Sequence, residues 1–178
     1  IVVIPFSKPL AKKFGKRNVF LASSIISGIF FMLLYLPGVG DIKLIYLFNI
    51  LAKMAYAPAV PLIWTMLADT ADYSEWKTGR RSTGLTFSAA TFAQKAGWGI
   101  GGALAGWLLA IFKFVPNVEQ TASAIVGMKL MISVIPGILY MSCAILLFFY
   151  SIDHQTCLTM EKELQARREA EEKDSPEA

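Results

Sequence analysis

The 178-residue chain is 55% hydrophobic and only 17% charged, with a mean hydropathy of +0.52, and is therefore too apolar for a water-soluble domain. Its formal net charge of +4 does not indicate nucleic-acid binding, because the cations cluster between apolar runs and form no basic stripe with aromatics. The two cysteines have neither metal-ligand nor disulfide-framework spacing, and we interpret both as free thiols. The composition predicts an integral membrane protein.

The first 17 residues are predicted to contain the end of a transmembrane helix and a basic loop. Residues 1–6 are apolar but too few to cross a bilayer, so we expect them to be the tail of a helix whose beginning is missing. The loop that follows carries Lys8, Lys12, Lys13, Lys16 and Arg17. Such a cluster is typical of the cytoplasmic side of a membrane.

Four apolar runs between residues 18 and 152 each reach the roughly 20 residues that a transmembrane helix needs. The predicted helices cover about 18–36, 44–67, 84–112 and 122–152. We expect Pro58 and Pro61 to interrupt the second helix and Pro136-Gly137 to kink the fourth, because proline lacks the N–H that continues a helix. The chain is predicted to be an all-α, multi-pass membrane protein.

The positive charges predict which helix ends face the cytoplasm. Beyond the first loop, one side carries Lys77, Arg80, Arg81, Lys162, Arg167 and Arg168, whereas the other has little beyond Lys43, Lys113 and Lys129. By the positive-inside bias, the rich side is cytoplasmic. Residues 153–178 then form a cytoplasmic tail, in which we expect a short helix over 161–169 and no regular structure from Glu171 onward.

Lys95 is the most informative residue of the sequence. It is the one charge in the run 84–112, and it lies roughly 20–27 Å along the helix axis from the basic residues Arg81 and Lys113 at about 1.5 Å per residue. An ammonium in the middle of a membrane costs about 2.5–3.5 kcal/mol and usually marks a substrate, ion or proton pathway. We therefore expect Lys95 to face a cavity.

Three polar or aromatic residues share the helix face of Lys95. Thr91, Gln94, Lys95 and Trp98 follow the spacing i, i+3, i+4 and i+7. Together they suit a polyhydroxylated ligand, since hydroxyls need donors and acceptors and a sugar ring packs well on an aromatic plane. Alternatively, Thr91 bonds its own backbone, Trp98 packs within the bundle and Lys95 only pairs with a carboxylate elsewhere.

Two further features of the apolar runs point to packing or to a cavity. The glycines of 97–106 include two small-xxx-small pairs, which predict close approach of another helix. Lys53 lies beside the prolines of the second helix, and a broken helix with a buried cation fits a cavity wall. Snorkelling of Lys53, or an ion pair with another helix, fits the sequence as well.

The predicted cytoplasmic loop 68–81 contains three carboxylates and three cations. We expect ion pairs among them to close a cytoplasmic gate, with a solvated charge run as the alternative. A divalent-metal site at Asp69 and Asp72 is disfavoured, because no second acidic pair or histidine completes it. The candidate gate residues are Asp69, Asp72, Tyr73, Glu75, Arg80 and Arg81.

Three segments of the sequence are similar to one transporter family. Residues 69–81 (DTADYSEWKTGRR), 87–97 (FSAATFAQKAG) and 115–120 (VPNVEQ) resemble the glycoside-pentoside-hexuronide:cation symporters, the melibiose carrier family. The resemblance covers nearly the whole chain. It implies the major facilitator fold, with twelve helices in two six-helix halves, of which this chain corresponds to the end of helix eight through helix twelve plus the tail.

The resemblance also implies what the site residues do. The lysine that corresponds to Lys95 faces an acidic cluster on the N-terminal half, which holds the coupling cation and the main sugar-binding acids. Thr91, Gln94 and Trp98 are expected to line the cavity with it. We include Trp64 among the substrate-binding candidates, although the melibiose carriers have a tryptophan about one turn earlier, where this chain has Val60.

We therefore predict the C-terminal half of a symporter in the bacterial inner membrane, which transports a sugar or glycoside with Na+ or H+ by alternating access. Its expected partners are the substrate, the cation, the bilayer and the N-terminal six-helix half, and no organic cofactor is expected. The alternatives are a membrane-embedded enzyme and a non-transporting helical scaffold. An enzyme should show a nucleophile-base pair or a metal set at one depth, and none is visible.

Overall fold

The computed structural model describes residues 7–38, 40–80, 82–150 and 152–174. These residues fold into helices that are connected by short turns. The helices are α1 (Ser7–Phe14), α2 (Lys16–Leu33), α3 (Ile42–Tyr56), α4 (Ala59–Thr78), α5 (Thr83–Ile111), α6 (Ala122–Ile132), α7 (Val134–Phe148) and α8 (His154–Asp174).

Two apolar runs are broken in the middle, as their prolines predicted. The second run divides into α3 and α4 at Ala57 and Pro58. The fourth divides into α6 and α7 at Ser133, three residues before the kink expected at Pro136-Gly137. Because a proline ring clashes with the carbonyl four residues earlier, the strain from Pro136 falls on Ile132, where α6 ends.

Helix α2 is the centre of the bundle, and it packs most extensively against α7 and α3. Its contact with α7 is close because two glycines meet there. A Cβ added to Gly137 would lie 2.7 Å from the Met32 side chain and 3.1 Å from the Gly28 carbonyl oxygen. The buried apolar clusters around α2 are Val19, Phe20, Ala59, Leu62 and Met66, and Phe31, Leu34 and Ala52.

Three helical stretches of the described residues are long and apolar enough to cross a membrane: Lys16–Leu33, Ile42–Thr78 and Ala122–Phe148. Helix α5 begins and ends one residue before the predicted third span, and its 29 residues extend about 44 Å, which exceeds the bilayer core of about 30 Å. It is not among the three. Its crossing of the membrane therefore stays a prediction.

Segments that the sequence predicted as basic loop, charged loop and tail meet at one end of the bundle, which we call the basic end. It comprises α1, the start of α2, the end of α4 and α8. The expected loop 68–81 is helical through Thr78, and Gly79 ends α4 with a φ of 69°, a left-handed conformation that glycine adopts without strain. Helix α8 runs to Asp174, so the tail has regular structure beyond Glu171.

Candidate functional site

The polar face of α5 lies open along the helix. Thr91 is half-buried, and Gln94, Lys95 and Trp98 are exposed; Trp98 has 72% of its surface accessible. None of the described residues of α5 is buried. Its main contacts are with α4 and α6, so much of its surface is available to a ligand or another helix.

Lys95 makes no hydrogen bond or ion pair with any described residue of the chain. The sequence contains no acidic residue from 82 to 118, so its own helix supplies no partner. An unpaired ammonium at this position needs a ligand, water or a carboxylate from outside these helices. The structure thus leaves the cation of the predicted site unneutralised.

The other predicted site residues differ in their contacts. The Thr91 hydroxyl donates a hydrogen bond to the Phe87 carbonyl oxygen at 2.8 Å, which is the backbone bond that the alternative interpretation gave it. Trp64 of α4 stacks on the Phe87 ring, with centroids 6.4 Å apart and an interplanar angle of 5°. Trp64 therefore lies beside Phe87, which precedes Thr91 by one turn of α5.

The predicted gate contains an ion pair, but with a partner outside its own segment. Lys16 of α2 donates to both carboxylate oxygens of Asp69, at 2.8 and 2.7 Å. The Asp69 side chain is 11% exposed and that of Lys16 is 33% exposed. The pair thus joins the start of α2 to the middle of α4 at the basic end.

A cavity of about 240 Å³ lies beside this ion pair. Its wall includes Arg17, which donates to the carbonyl oxygens of Leu147 and Phe148 at 3.0 and 2.9 Å. A cation at the C-terminal end of α7 satisfies carbonyls that the helix leaves free. The start of α2 is therefore bound to α4 through Lys16 and to α7 through Arg17.

Helix α8 is attached to the end of α4 by polar contacts and apolar burial. The Trp76 indole N–H donates to Glu163 at 2.6 Å, and Arg167 donates to the Trp76 carbonyl oxygen at 3.4 Å. Met160 and Leu164 are 1% and 5% exposed. The tail helix is therefore part of the packed basic end.

The remaining candidate gate residues occupy the same region. Tyr73 makes a tilted ring contact with Trp76 at 5.8 Å, and the Lys77 ammonium lies over both rings. Asp72 lines a cavity of about 370 Å³ with residues of α8, and Arg80 is exposed. Glu75 is half-buried in the same turn of α4. Arg81 lies outside the described residues, so its predicted role has no structural counterpart here.

Sequence reasoning missed Lys16, Glu163 and Arg167 as members of this region. A signal existed for Lys16: Asp69 follows an apolar run, and a carboxylate in that position needs a cation. The sequence does not indicate which of the many cations at the basic end pairs with Asp69. The roles of Glu163 and Arg167 could not be predicted from the sequence. Glu163 accepts a hydrogen bond from the Trp76 indole, and Arg167 donates one to the Trp76 carbonyl oxygen, and neither contact has a sequence pattern.

Cys157 offers a test of which side of the membrane the basic end faces. Burial, followed by the nearby Asp69 carboxylate, raises the pKa of the Cys157 thiol to about 11. In a Cys143→Ala background, we expect a membrane-impermeant maleimide to label Cys157 only in inside-out vesicles, slowly at pH 7 and faster toward pH 9, because the thiolate is the nucleophile. Rapid labelling in intact cells would contradict this topology.

The chain is similar to known transporters over most of its length. Residues 1–154 match the family model described as MFS/sugar transport protein. A putative 2,3-dihydroxypropane-1-sulfonate exporter of Salmonella typhimurium is 30% identical over 158 residues, which cover 88% of this chain and 34% of that protein. A putative sulfoquinovose importer of the same organism is also 30% identical, over 88% of this chain and 33% of its own length.

A putative glycoside/cation symporter of Escherichia coli K12 is 32% identical over 161 residues, which are 90% of this chain and 34% of that protein. The chain thus spans about a third of the length of these curated relatives. The relatives are transporters and symporters, not enzymes. The family match and these identities place the chain in the MFS/sugar transport protein family, among the glycoside-pentoside-hexuronide:cation symporters of the major facilitator superfamily.

Proposed function

We propose that this chain supplies the C-terminal half of a symporter that moves a sugar or glycoside together with Na+ or H+ by alternating access. The observation that carries the proposal is the unpaired Lys95 on the exposed polar face of α5. A cation and an amide donor beside an indole suit a hydroxyl-rich ligand in a cavity. The binding residues are Lys95, Gln94, Trp98, Trp64 and Thr91.

The second wall of this site comes from an N-terminal six-helix half. Six glycines of α5 have open space where a Cβ would stand, which leaves room for closely approaching helices. In transporters built from structural repeats, substrate and cation sites lie near the midplane between the two repeats. The coupling cation is held mainly by carboxylates of that other half, which also face Lys95.

The basic end is the cytoplasmic gate in this proposal, in a bacterial inner membrane with a cytoplasmic C-terminus. Its concentration of cations supports that orientation. Asp69, with Lys16, and Asp72, Tyr73, Glu75, Arg80 and Arg81 act there. The domain assignment of 1–17, 18–152 and 153–178 as helix end with loop, membrane helices and tail belongs to the same proposal.

Uptake by the complete transporter in proteoliposomes tests this function. We expect an inward Na+ or H+ gradient to drive accumulation of a radiolabelled glycoside above its equilibrium level, because a symporter couples the two fluxes. A glycoside panel with either gradient identifies the coupled pair. Equilibration without accumulation under both gradients would contradict symport, and no glycoside uptake at all would contradict the sugar-type substrate.

A further inference from the structure

Helix α8 lies along the side of α4 that carries two of the predicted gate carboxylates. Asp69, Asp72 and Trp76 share this side, because they follow the spacing i, i+3 and i+7. Cys157 lines the cavity of about 240 Å³ together with Asp69, and residues within 160–165 line the cavity of about 370 Å³ together with Asp72. The tail helix therefore packs beside the carboxylates of the proposed gate.

Two hydrogen bonds attach α8 to Trp76 at the end of α4. The indole N–H of Trp76 donates to Glu163 at 2.6 Å, and the carbonyl oxygen of Trp76 accepts a hydrogen bond from Arg167 at 3.4 Å. This oxygen belongs to the last turn of α4, where carbonyl groups lack partners within the helix and a cation is favoured. Arg167 thus completes the end of α4 from a different helix.

The docked part of α8, residues 157–167, also buries apolar side chains, and we call it the strap. Met160 and Leu164 lie one turn apart and are buried, Leu164 with 5% of its surface exposed. Leu158 lies on another side of α8 and is 45% exposed. Since the strap is held by two apolar side chains and two hydrogen bonds, it can leave α4 without unfolding the bundle.

The beginning of α8 is tied to a different part of the basic end. Asp153 accepts hydrogen bonds from the Thr156 N–H and hydroxyl, both at 2.7 Å, and so caps α8 a few residues after α7 ends at Phe148. The end of α7 is bound in turn to α2, because Arg17 donates to its last carbonyl oxygens. The strap therefore joins the contact of α2 with α7 to the end of α4.

We propose that the strap restrains the end of α4 and thereby limits the rate at which the cytoplasmic gate opens. The inference rests on the proposed transport by alternating access. In that cycle the end of α4 moves away from α2 when the ion pair of Lys16 and Asp69 separates. A helix that is held near α7 at its beginning and on α4 along its length opposes this movement, so the strap must release α4 before the gate opens fully.

Leu164→Ser tests whether the strap is a releasable restraint. Loss of the buried side chain should raise the population of undocked α8 by about tenfold or more. In the complete transporter in nanodiscs, amide hydrogen exchange of 70–79 and 157–167 should accelerate correspondingly. Leu158→Ser makes the same substitution on the exposed side of α8 and is the matched control, so its exchange should stay at the wild-type rate.

Sugar exchange across the membrane tests the effect on the gate. With equal glycoside concentrations on both sides of proteoliposomes, Leu164→Ser should exchange radiolabelled glycoside about threefold faster or more, because opening of a gate often limits turnover. Slower or unchanged sugar exchange by this variant would overturn the inference. A wild type that exchanges no glycoside would instead contradict the proposed function, while amide hydrogen exchange would still report the docking of α8.

A reversible cross-link provides a second test if Leu164→Ser folds poorly. Trp76→Cys and Glu163→Cys place thiols at the contact between α4 and α8, in a background that carries Cys143→Ala and Cys157→Ala. Joining the two thiols with a short bifunctional methanethiosulfonate should slow sugar exchange by about fivefold or more, and reduction of the cross-link should restore it. Sugar exchange that is unchanged by the cross-link would show that α8 moves with α4 as one body, and would overturn the inference.

Discussion

Lys95→Ala is expected to abolish sugar accumulation by the complete transporter while the amount of protein in the membrane stays unchanged. The substitution removes the one charge of α5, and that lowers the insertion cost of about 2.5–3.5 kcal/mol instead of raising it. It also removes the exposed ammonium that faces the substrate cavity in the proposed function. Insertion and transport should therefore separate, and radiolabelled uptake normalised to membrane protein measures both.

Lys95→Arg distinguishes a binding role from a purely structural one. Arginine keeps the charge, but its planar fork is bulkier and does not deprotonate, so we expect severe impairment here as well. A structural counter-ion would give the opposite pattern: Arg would be tolerated, and Ala would lower expression by leaving a buried carboxylate unpaired. Lys113→Ala, two residues beyond the end of α5, should retain accumulation. Near wild-type accumulation by Lys95→Ala would exclude Lys95 from the mechanism.

The helices were predictable from the sequence where apolar runs and helix-breaking residues agree. The bounds of α5 differ by one residue at each end from the expected 84–112, because glycine and proline turns border it. The extension of α4 to Thr78 was missed for a physical reason. Charged residues between 69 and 77 were interpreted as a loop, although none of them breaks a helix, and the first residue that does is Gly79.

The candidate site was predictable only where it depends on a single helix. Helical spacing alone places Thr91, Gln94, Lys95 and Trp98 on one face, and the structure leaves that face open. Contacts between distant segments follow from tertiary packing instead. Asp69 and Lys16 are 53 residues apart, and several cations near Lys16 carry the same charge, so no local pattern selects this partner.

The basic end provides the second large expected effect, since its central ion pair is partly shielded from water. Asp69→Asn should reduce transport by the complete protein by about tenfold or more, which corresponds to about 1.4 kcal/mol. The substitution leaves Lys16 in a partly buried position without its carboxylate, and breaking such a pair from one side is destabilising. It also loosens the start of α2 from α4, where the proposed gate must close in each cycle.

Exchanging the two charges tests whether the pair itself, and not either residue alone, is required. Lys16→Gln should impair transport as Asp69→Asn does, whereas the combined Lys16→Asp and Asp69→Lys variant should recover much of the activity, because contacting residues couple in a double-mutant cycle. Lys12→Gln, on the exposed surface of α1, is the control and should transport normally. Loss of the Asp69 carboxylate should also lower the pKa of Cys157, which that carboxylate raises, and speed maleimide labelling at neutral pH.

If both single variants transport normally, the cluster is a solvated charge run and the gate lies elsewhere. If the exchanged pair does not transport while each single variant loses little transport, the two residues act separately and their ion pair does not hold the proposed gate closed.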